Sequence, residues 1–384
     1  MDFELNKTQM DIQKAVRDFA KGEFDKALAL ELDKKQMFPL EIWRKAGELG
    51  LIGVHFPEEY AGQGLGCFEA ILALEGLCRR DATIGNAIAL ASFAAEIVLR
   101  WGNAEMKKKY LRPVAEGRII STGAFREPNH HREFSPMDTT AEKKTGEWII
   151  NGAKTFVTNG GLAGFYSVIC QTDPHAIPLS RGMSIILVEA DRKGVAVTNR
   201  GPKMGSRMIP TADVTFKNVR VPVANLIGEE GKGFLYVHHF FDEHRIQLAA
   251  QALGTAQGAW DRAVDHVKKR EQFGKKVAQF QITRQKLAEM ATKIELARLI
   301  TYKAAWNFDR SRMDSKLIAM AKMYAARTAV EVADEAIQLL GGYGYMSEYE
   351  VERFYRDAKI AELDDDPREA LADIIARAAV GKIS

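Results

Sequence analysis

A chain of 384 residues is long enough for roughly two to three domains, and a composition 46% hydrophobic and 27% charged supplies a large core. Lysine plus arginine number 54 against 51 aspartate plus glutamate, so the net charge of +3 offers no global argument for nucleic acid or a membrane as partner. Cys67, Cys78 and Cys170 are odd in number and lack Cys-x-x-Cys spacing, so they read as reduced packing residues and exclude a disulfide frame or zinc site.

The first residues, Met1 to Asn6, are neither basic nor a long apolar run, and no signal peptide, transit peptide or membrane span is expected anywhere. Residues 1 to about 115 read as helices. Met10, Val16 and Phe19 fit one helical stripe, and Ile42, Ala46, Leu49 and Leu51 another. A glycine-rich break at 57–66 precedes a helix from Phe68 to Cys78, and Ser92 to Trp101 continues the pattern. Asn103 is placed to cap a basic helix over 104–111.

Near Ile119 the texture changes. Trp148–Ile150, Thr155–Thr158, Tyr166–Cys170, Met183–Val188, Val195–Thr198 and Asp213–Phe216 read as short strands, punctuated by turn residues Asn151-Gly152 and Asn159-Gly160-Gly161. Such a run suits a small β-barrel or sandwich. From Gly231 long helices return over 234–269, 284–308, 315–340 and 370–380, a bundle. The predicted class is α+β in the order α, β, α, with domains at 1–117, 118–228 and 229–384.

No phosphate-binding glycine fingerprint of the common kinds is present, and there is no His-Glu-x-x-His. His239 and Glu243 share a predicted helix face but have no third metal ligand in view, and His130-His131 is no stronger as a metal motif. The most informative stretch is 338–369. An apolar helix ends at Gly341-Gly342, which supply a left-handed cap and a surface free of side chains where a phosphate or another backbone can approach. A short charged helix follows, then Asp364-Asp365-Asp366-Pro367. If any of these carboxylates is buried, mutual repulsion should raise at least one pKa; otherwise the run is a solvated acidic loop.

Together, several segments resemble the acyl-CoA dehydrogenase family over nearly the whole length. They are Val219-Arg220-Val221-Pro222 with Asn225-Leu226-Ile227-Gly228 and Gly231-Lys232-Gly233-Phe234, then Arg270-Glu271-Gln272-Phe273-Gly274 with Phe280-Gln281. Gln338 to Tyr345 and Arg356-Asp357-Ala358-Lys359-Ile360 complete the set, with support from 154–159 and Lys203-Met204-Gly205. The resemblance implies an N-terminal helical domain, a β-barrel middle domain and a C-terminal four-helix bundle. It implies a homotetramer built as a dimer of dimers, FAD as cofactor, an acyl-CoA substrate and an electron-transfer flavoprotein as acceptor. The implied chemistry is removal of an α-proton by a carboxylate and of a β-hydride by flavin N5.

Residue by residue, the match puts Phe156, Val157 and Thr158 along the flavin. Arg270 and Phe273 should reach the dinucleotide of a neighbouring subunit, and Gln338, Gly341 and Gly342 the same pyrophosphate–adenosine part. Phe241, Asp242 and Arg245 fall along the substrate arm. Two segments depart from the family pattern. Arg126-Glu127-Pro128-Asn129-His130-His131-Arg132-Glu133 stands where a small-residue, glycine-containing run cradles the cofactor. Arg126 and Arg132 are the candidates there, Arg132 by pairing with a phosphate directly; a remodelled or lost FAD site is the rival reading. The second departure puts Asp365 where the base is usually a glutamate, one methylene longer. His244, one residue before Arg245, is the second candidate base, since an imidazole titrates near neutral pH. The expectation is a cytoplasmic, FAD-dependent acyl-CoA dehydrogenase. The alternatives left open are another elimination or reduction on an unusual, for example cyclic, acyl-CoA, and a non-catalytic paralogue without FAD.

Overall fold

A computed structural model describes residues 4–129 and 137–381. Six helices open the chain: α1 (Lys7–Glu23), α2 (Lys26–Lys35), α3 (Leu40–Glu48), α4 (Cys67–Arg80), α5 (Ala82–Leu90) and α6 (Ala95–Trp101). Asn6 and Gln9 form a reciprocal capping box that starts α1. Asn103 accepts from the Met106 amide at 2.8 Å, the cap anticipated from sequence. It starts α7 (Ala104–Met106), a π-turn over Lys107–Leu111, and α8 (Arg112–Ala115). The helix expected to run from Ser92 is interrupted, because Ala94 takes φ +64° and turns the chain between α5 and α6. Residues 82–101 are long and apolar enough to cross a bilayer, and 78% of that window is buried in the molecule's own core.

The middle region is one mixed sheet rather than isolated short strands. It comprises β1 (Ser121–Ala124), β2 (Thr140–Lys144), β3 (Glu147–Thr158), β4 (Phe165–Gln171), β5 (Met183–Glu189), β6 (Val195–Asn199), β7 (Thr211–Pro222) and β8 (Leu226–Ile227). The order is β6-β7-β3-β2-β4-β5-β8, with β1 parallel beside β4. Two predicted strands fuse into β3. Asn151-Gly152, expected as a turn, is instead a register shift in the β3–β7 ladder, where Gly152 holds φ +149° against Thr139. Trp148, Ile150, Tyr166, Val188 and Val214 pack one face of the sheet into a core shared with Val16, Phe19 and Trp43 of the first helices.

The C-terminal region is α9 (Gly233–Lys269), two-residue strands β9 (Glu271–Gln272) and β10 (Lys275–Lys276), then α10 (Gln281–Asp309), α11 (Ser315–Leu340), α12 (Val351–Ala361) and α13 (Arg368–Val380). Its core is alanine-rich: Ala249, Ala252, Ala256 and Ala259 of α9 share a cluster with Ala321, Ala325, Ala329 and Ala333 of α11. Small side chains let ridges of one helix settle deep in grooves of the next. α11 ends at Gly341, at φ +61° but ψ −139°, outside the left-handed helical well the glycine pair suggested.

Candidate active site

Between the sheet and the last helices lies a cavity of about 1120 Å³. Its walls come from β3 (Thr155, Phe156, Thr158), the loop 200–209, Arg126 to Pro128, α5 (Asn86, Leu90), α9 (Leu248, Gln251, Thr255), and the segment 356–367. A cavity of this size and mixed lining is the form a cofactor or small-molecule site takes.

The acidic segment after α12 is not a solvated loop. Asp364, Asp365 and Asp366 line the cavity, and the Asp365 side chain is only 3% exposed. Asp365 sits at φ +56°, a conformation that aspartate tolerates better than most residues. The loop is held from three sides. Lys322 of α11, itself buried, donates from Nζ to the carbonyls of Asp364 (2.8 Å) and Asp366 (2.7 Å). Arg126 donates to the carbonyl of Asp365 between them. Arg245 of α9 grips the Asp366 carboxylate through Nε and Nη2.

The two candidate bases are partners. His244 Nδ1 lies 2.6 Å from Asp365 Oδ2, although the residues are 121 apart in sequence. The imidazole stacks on Phe240, with centroids 5.5 Å apart and planes at 13°, and meets Phe93 edge-on at 4.8 Å. Burial opposes its positive charge, but the Asp365 carboxylate, helped by Asp364 and Glu96, raises the imidazole above its ordinary value. Asp365 moves the other way: burial pushes it up, yet His244, then Lys322 and Arg245, hold it below the usual carboxylate range. Burial, then repulsion from Asp365, raises Asp364, the outcome expected of crowded carboxylates.

The remaining sequence candidates divide into groups. Phe156 and Thr158 face the cavity, Phe156 at φ +52° with the Arg200 guanidinium 4.2 Å from its ring centroid. The Val157 side chain does not: strand alternation turns it into the sheet core, where it is 2% exposed. Phe241 is likewise a packing residue, 4% exposed among Phe125 and Phe240. Arg245 is committed to Asp242 (2.6 Å) and Asp366, and Asp242 also accepts from Ser315. None of these three residues lines the cavity. Arg270, Phe273, Gln338, Gly341 and Gly342 form a separate exposed surface, with Phe273 91% exposed; none of the five lines the cavity. Arg132, with His130 and His131, lies outside the described residues. Glu243, considered beside His239 for a metal, is paired with Arg100 at 2.7 Å.

Sequence reasoning missed Lys322 and Gln251. The signal for Lys322 was available: it sits on the buried stripe of α11 between Ile318 and Ala325, and a lysine there needs acceptors. Gln251 carries a buried Nε2 with no partner, on the cavity wall.

The chain matches the acyl-CoA dehydrogenase N-terminal domain over residues 6–118, the middle domain over 123–219 and the C-terminal domain over 231–380. It is 38% identical over 364 residues to a short-chain specific acyl-CoA dehydrogenase of Clostridium acetobutylicum, covering 94% of this chain and 95% of that one. Butyryl-CoA dehydrogenase from Megasphaera elsdenii superposes with a TM-score of 0.94 at 35% identity, covering 99% and 100% of the two chains. A solved chain described under the electron transferring flavoprotein of Acidaminococcus fermentans superposes at 0.96 with 37% identity, covering 100% of both.

Proposed function

This chain belongs to the acyl-CoA dehydrogenase family, and on that premise we propose that it oxidises a short-chain acyl-CoA thioester with Asp365 as the α-proton acceptor. The observation that carries the assignment is the Asp365 carboxylate, presented to the cavity by a loop whose three consecutive carbonyls are each held by a buried or partly buried cation.

Members of the family are FAD-dependent, and the cavity fits that group. It has the volume, an exposed aromatic face at Phe156, and at Gln251 a buried donor without a protein acceptor. Phe156, Thr158 and Gln251 are the residues that would hold it. FAD, when bound, supplies the acceptor for the β-hydride. The chain itself does the rest. Asp365 removes the α-proton, His244 orients its carboxylate, and Lys322 and Arg126 fix the backbone that carries it. Reacting atoms must be placed to within about 1 Å, and an aspartate reaches one methylene less far than a glutamate. A left-handed residue in a clamped loop is a means of fixing that reach.

The short acyl chain is supported by what fills the neighbouring space. Phe93, Phe125, Phe240 and Phe241 pack ring to ring beside His244, while Asn86, Leu90, Leu248 and Gln251 wall the cavity between α5 and α9. The relative named short-chain specific and the neighbour named butyryl-CoA dehydrogenase favour the same class. A homotetramer, in which the exposed Arg270–Phe273 surface meets a second copy's dinucleotide, and an electron-transfer flavoprotein as acceptor complete the proposal.

The test is spectroscopic. The purified protein shows a flavin band that bleaches anaerobically with butyryl-CoA, and Asp365→Asn keeps the band but bleaches slower by on the order of a thousandfold. Bleaching at an unchanged rate in that variant overturns the assignment.

A further inference from the structure

We propose that His244 is a positioning residue that switches the base: Asp365 accepts the α-proton only while the imidazole is neutral and donates Nδ1–H to Oδ2, and it is held inactive when the imidazole is a cation. The proposal rests on the dehydrogenation assigned above.

The geometry allows little else. The two groups meet at 2.6 Å, and both side chains are 3% exposed, so no water shell screens them. Phe240 on one side and Phe93 on another fix the ring, so Nδ1 stays at the carboxylate. A carboxylate bonded to a neutral imidazole carries a full, undivided negative charge and remains a competent base. The same carboxylate against an imidazolium belongs to a closed ion pair, and protonating it breaks a buried salt bridge. Proton counting states the difference. With neutral His244 the pair goes from net charge −1 to 0 when the α C–H bond breaks and its proton lands on the Asp365 carboxylate. With the imidazolium the pair would go from 0 to +1 in a buried site.

The charged surroundings decide where the imidazole titrates. From the loop after α12 Asp364 and Asp365 face it, and from α6 Glu96 does. All three favour the cation, while burial disfavours it. Asp366 is occupied by Arg245, and Glu243 by Arg100. Lys322 and Arg126 hold loop carbonyls and bring positive charge near the pair. The result is an imidazole raised above its ordinary value of about 6.5. The base is therefore switched off at mildly acidic pH, well above the range in which an isolated aspartate loses its charge.

The experiment follows release of deuterium from C2-deuterated butyryl-CoA, saturating, with the holoenzyme between pH 5.5 and 8.5. A parallel titration of the 15N-labelled imidazoles by NMR assigns His244 by its loss in His244→Asn. In the wild type, exchange at pH 5.5 is at least tenfold slower than at pH 8.5, with a midpoint that coincides with the His244 titration. In His244→Asn, which retains a donor but cannot become a cation, exchange is slower at pH 8.5 yet varies less than twofold over the range. His244→Gln behaves alike, which guards against one variant misfolding. An acid limb that persists unchanged in both variants, or a His244 signal that does not titrate across the limb, overturns the proposal while leaving the dehydrogenase assignment intact. Absence of exchange at every pH in the wild type sinks that assignment, and the proposal with it.

Discussion

At the scale of single residues, Lys322 is the group whose removal says most about the site. Its ammonium is 1% exposed as a residue and has no carboxylate within salt-bridge distance among the described residues; its acceptors are two backbone carbonyls. Burial lowers its pKa, although Asp365, Asp364 and Asp366 pull the other way. Lys322→Met keeps the volume and deletes the donors. Two buried carbonyls are then left unpaired, at about 1–3 kcal/mol each, and the loop is free to leave the left-handed conformation at Asp365. The expected outcome is a melting temperature lowered by several degrees and kcat reduced at least tenfold with KM for butyryl-CoA little changed. Steady-state kinetics and calorimetry on the flavin-loaded variant check both. At this scale the sequence was readable only in part. Asp365 and His244 each stood out as rival bases, because carboxylate and imidazole are the groups that take protons. Their partnership was invisible, since nothing local relates positions 244 and 365.

At the scale of elements, β3 explains both a success and an error. Its apolar alternation was legible, and the strand puts Phe156 and Thr158 on the cavity side while Val157 goes to the core. Its length was not legible, because Asn151-Gly152 looks like a hairpin turn and here forms a bulge. What holds the strand to the cavity wall is a buried pair. Lys154 Nζ lies 2.8 Å from Glu127, which also accepts from the amides of Asp138 (2.7 Å) and Thr139 (2.9 Å). Glu127 thus ties together the chain before and after residues 130–136. Burial works to raise its pKa, but Lys154 and these bonds keep it below the ordinary range. Glu127→Gln leaves a fully buried ammonium without its counter-charge, an outcome that costs about 3 kcal/mol. The urea midpoint should fall accordingly, and flavin content at a fixed protein concentration should fall with it, since the same segment lines the cavity. Unchanged stability would mean that Lys154 is neutral in the native protein.

At the scale of the whole molecule, the segment 353–357 is where three regions meet. Asp357 of α12 accepts from Thr83 Oγ1 of α5 and, at 2.6 Å, from the Ser206 amide of the loop between β6 and β7. Arg353 pairs with Asp81 at 2.6 Å, and Arg356 with Asp33 at 3.0 Å while also donating to the Met204 carbonyl. One helix of the C-terminal region therefore holds the first helices and the sheet region in register around the cavity. A sequence motif noticed for its resemblance has a structural task. Burial, opposed by these bonds and by Arg353 and Arg356, raises the Asp357 carboxyl to about 6. The folded state therefore keeps this proton up to about pH 6, whereas the unfolded chain releases it near 4. The group's contribution to stability is thus present below pH 4 and is lost as the pH rises to about 6, by up to about 3 kcal/mol. Denaturant titrations at pH 4 and pH 7 should show Asp357→Asn losing less stability over that interval than the wild type. An identical pH dependence in the two proteins would remove Asp357 from this account.

The sequence by itself determined the order of helices, strands and helices, the cap at Asn103, and the long amphipathic helices of the C-terminal region. Those depend on side-chain periodicity and turn chemistry, which act between residues a few positions apart. It also carried the motifs that align the chain with its family. Tertiary structure alone decided that His244 and Asp365 are one unit, that Lys322 and Arg126 hold the acidic loop, and that Val157 and Phe241 are core. Only packing sets which groups lose their water and which charges then lie within a few ångströms, and those two things govern the chemistry of the site.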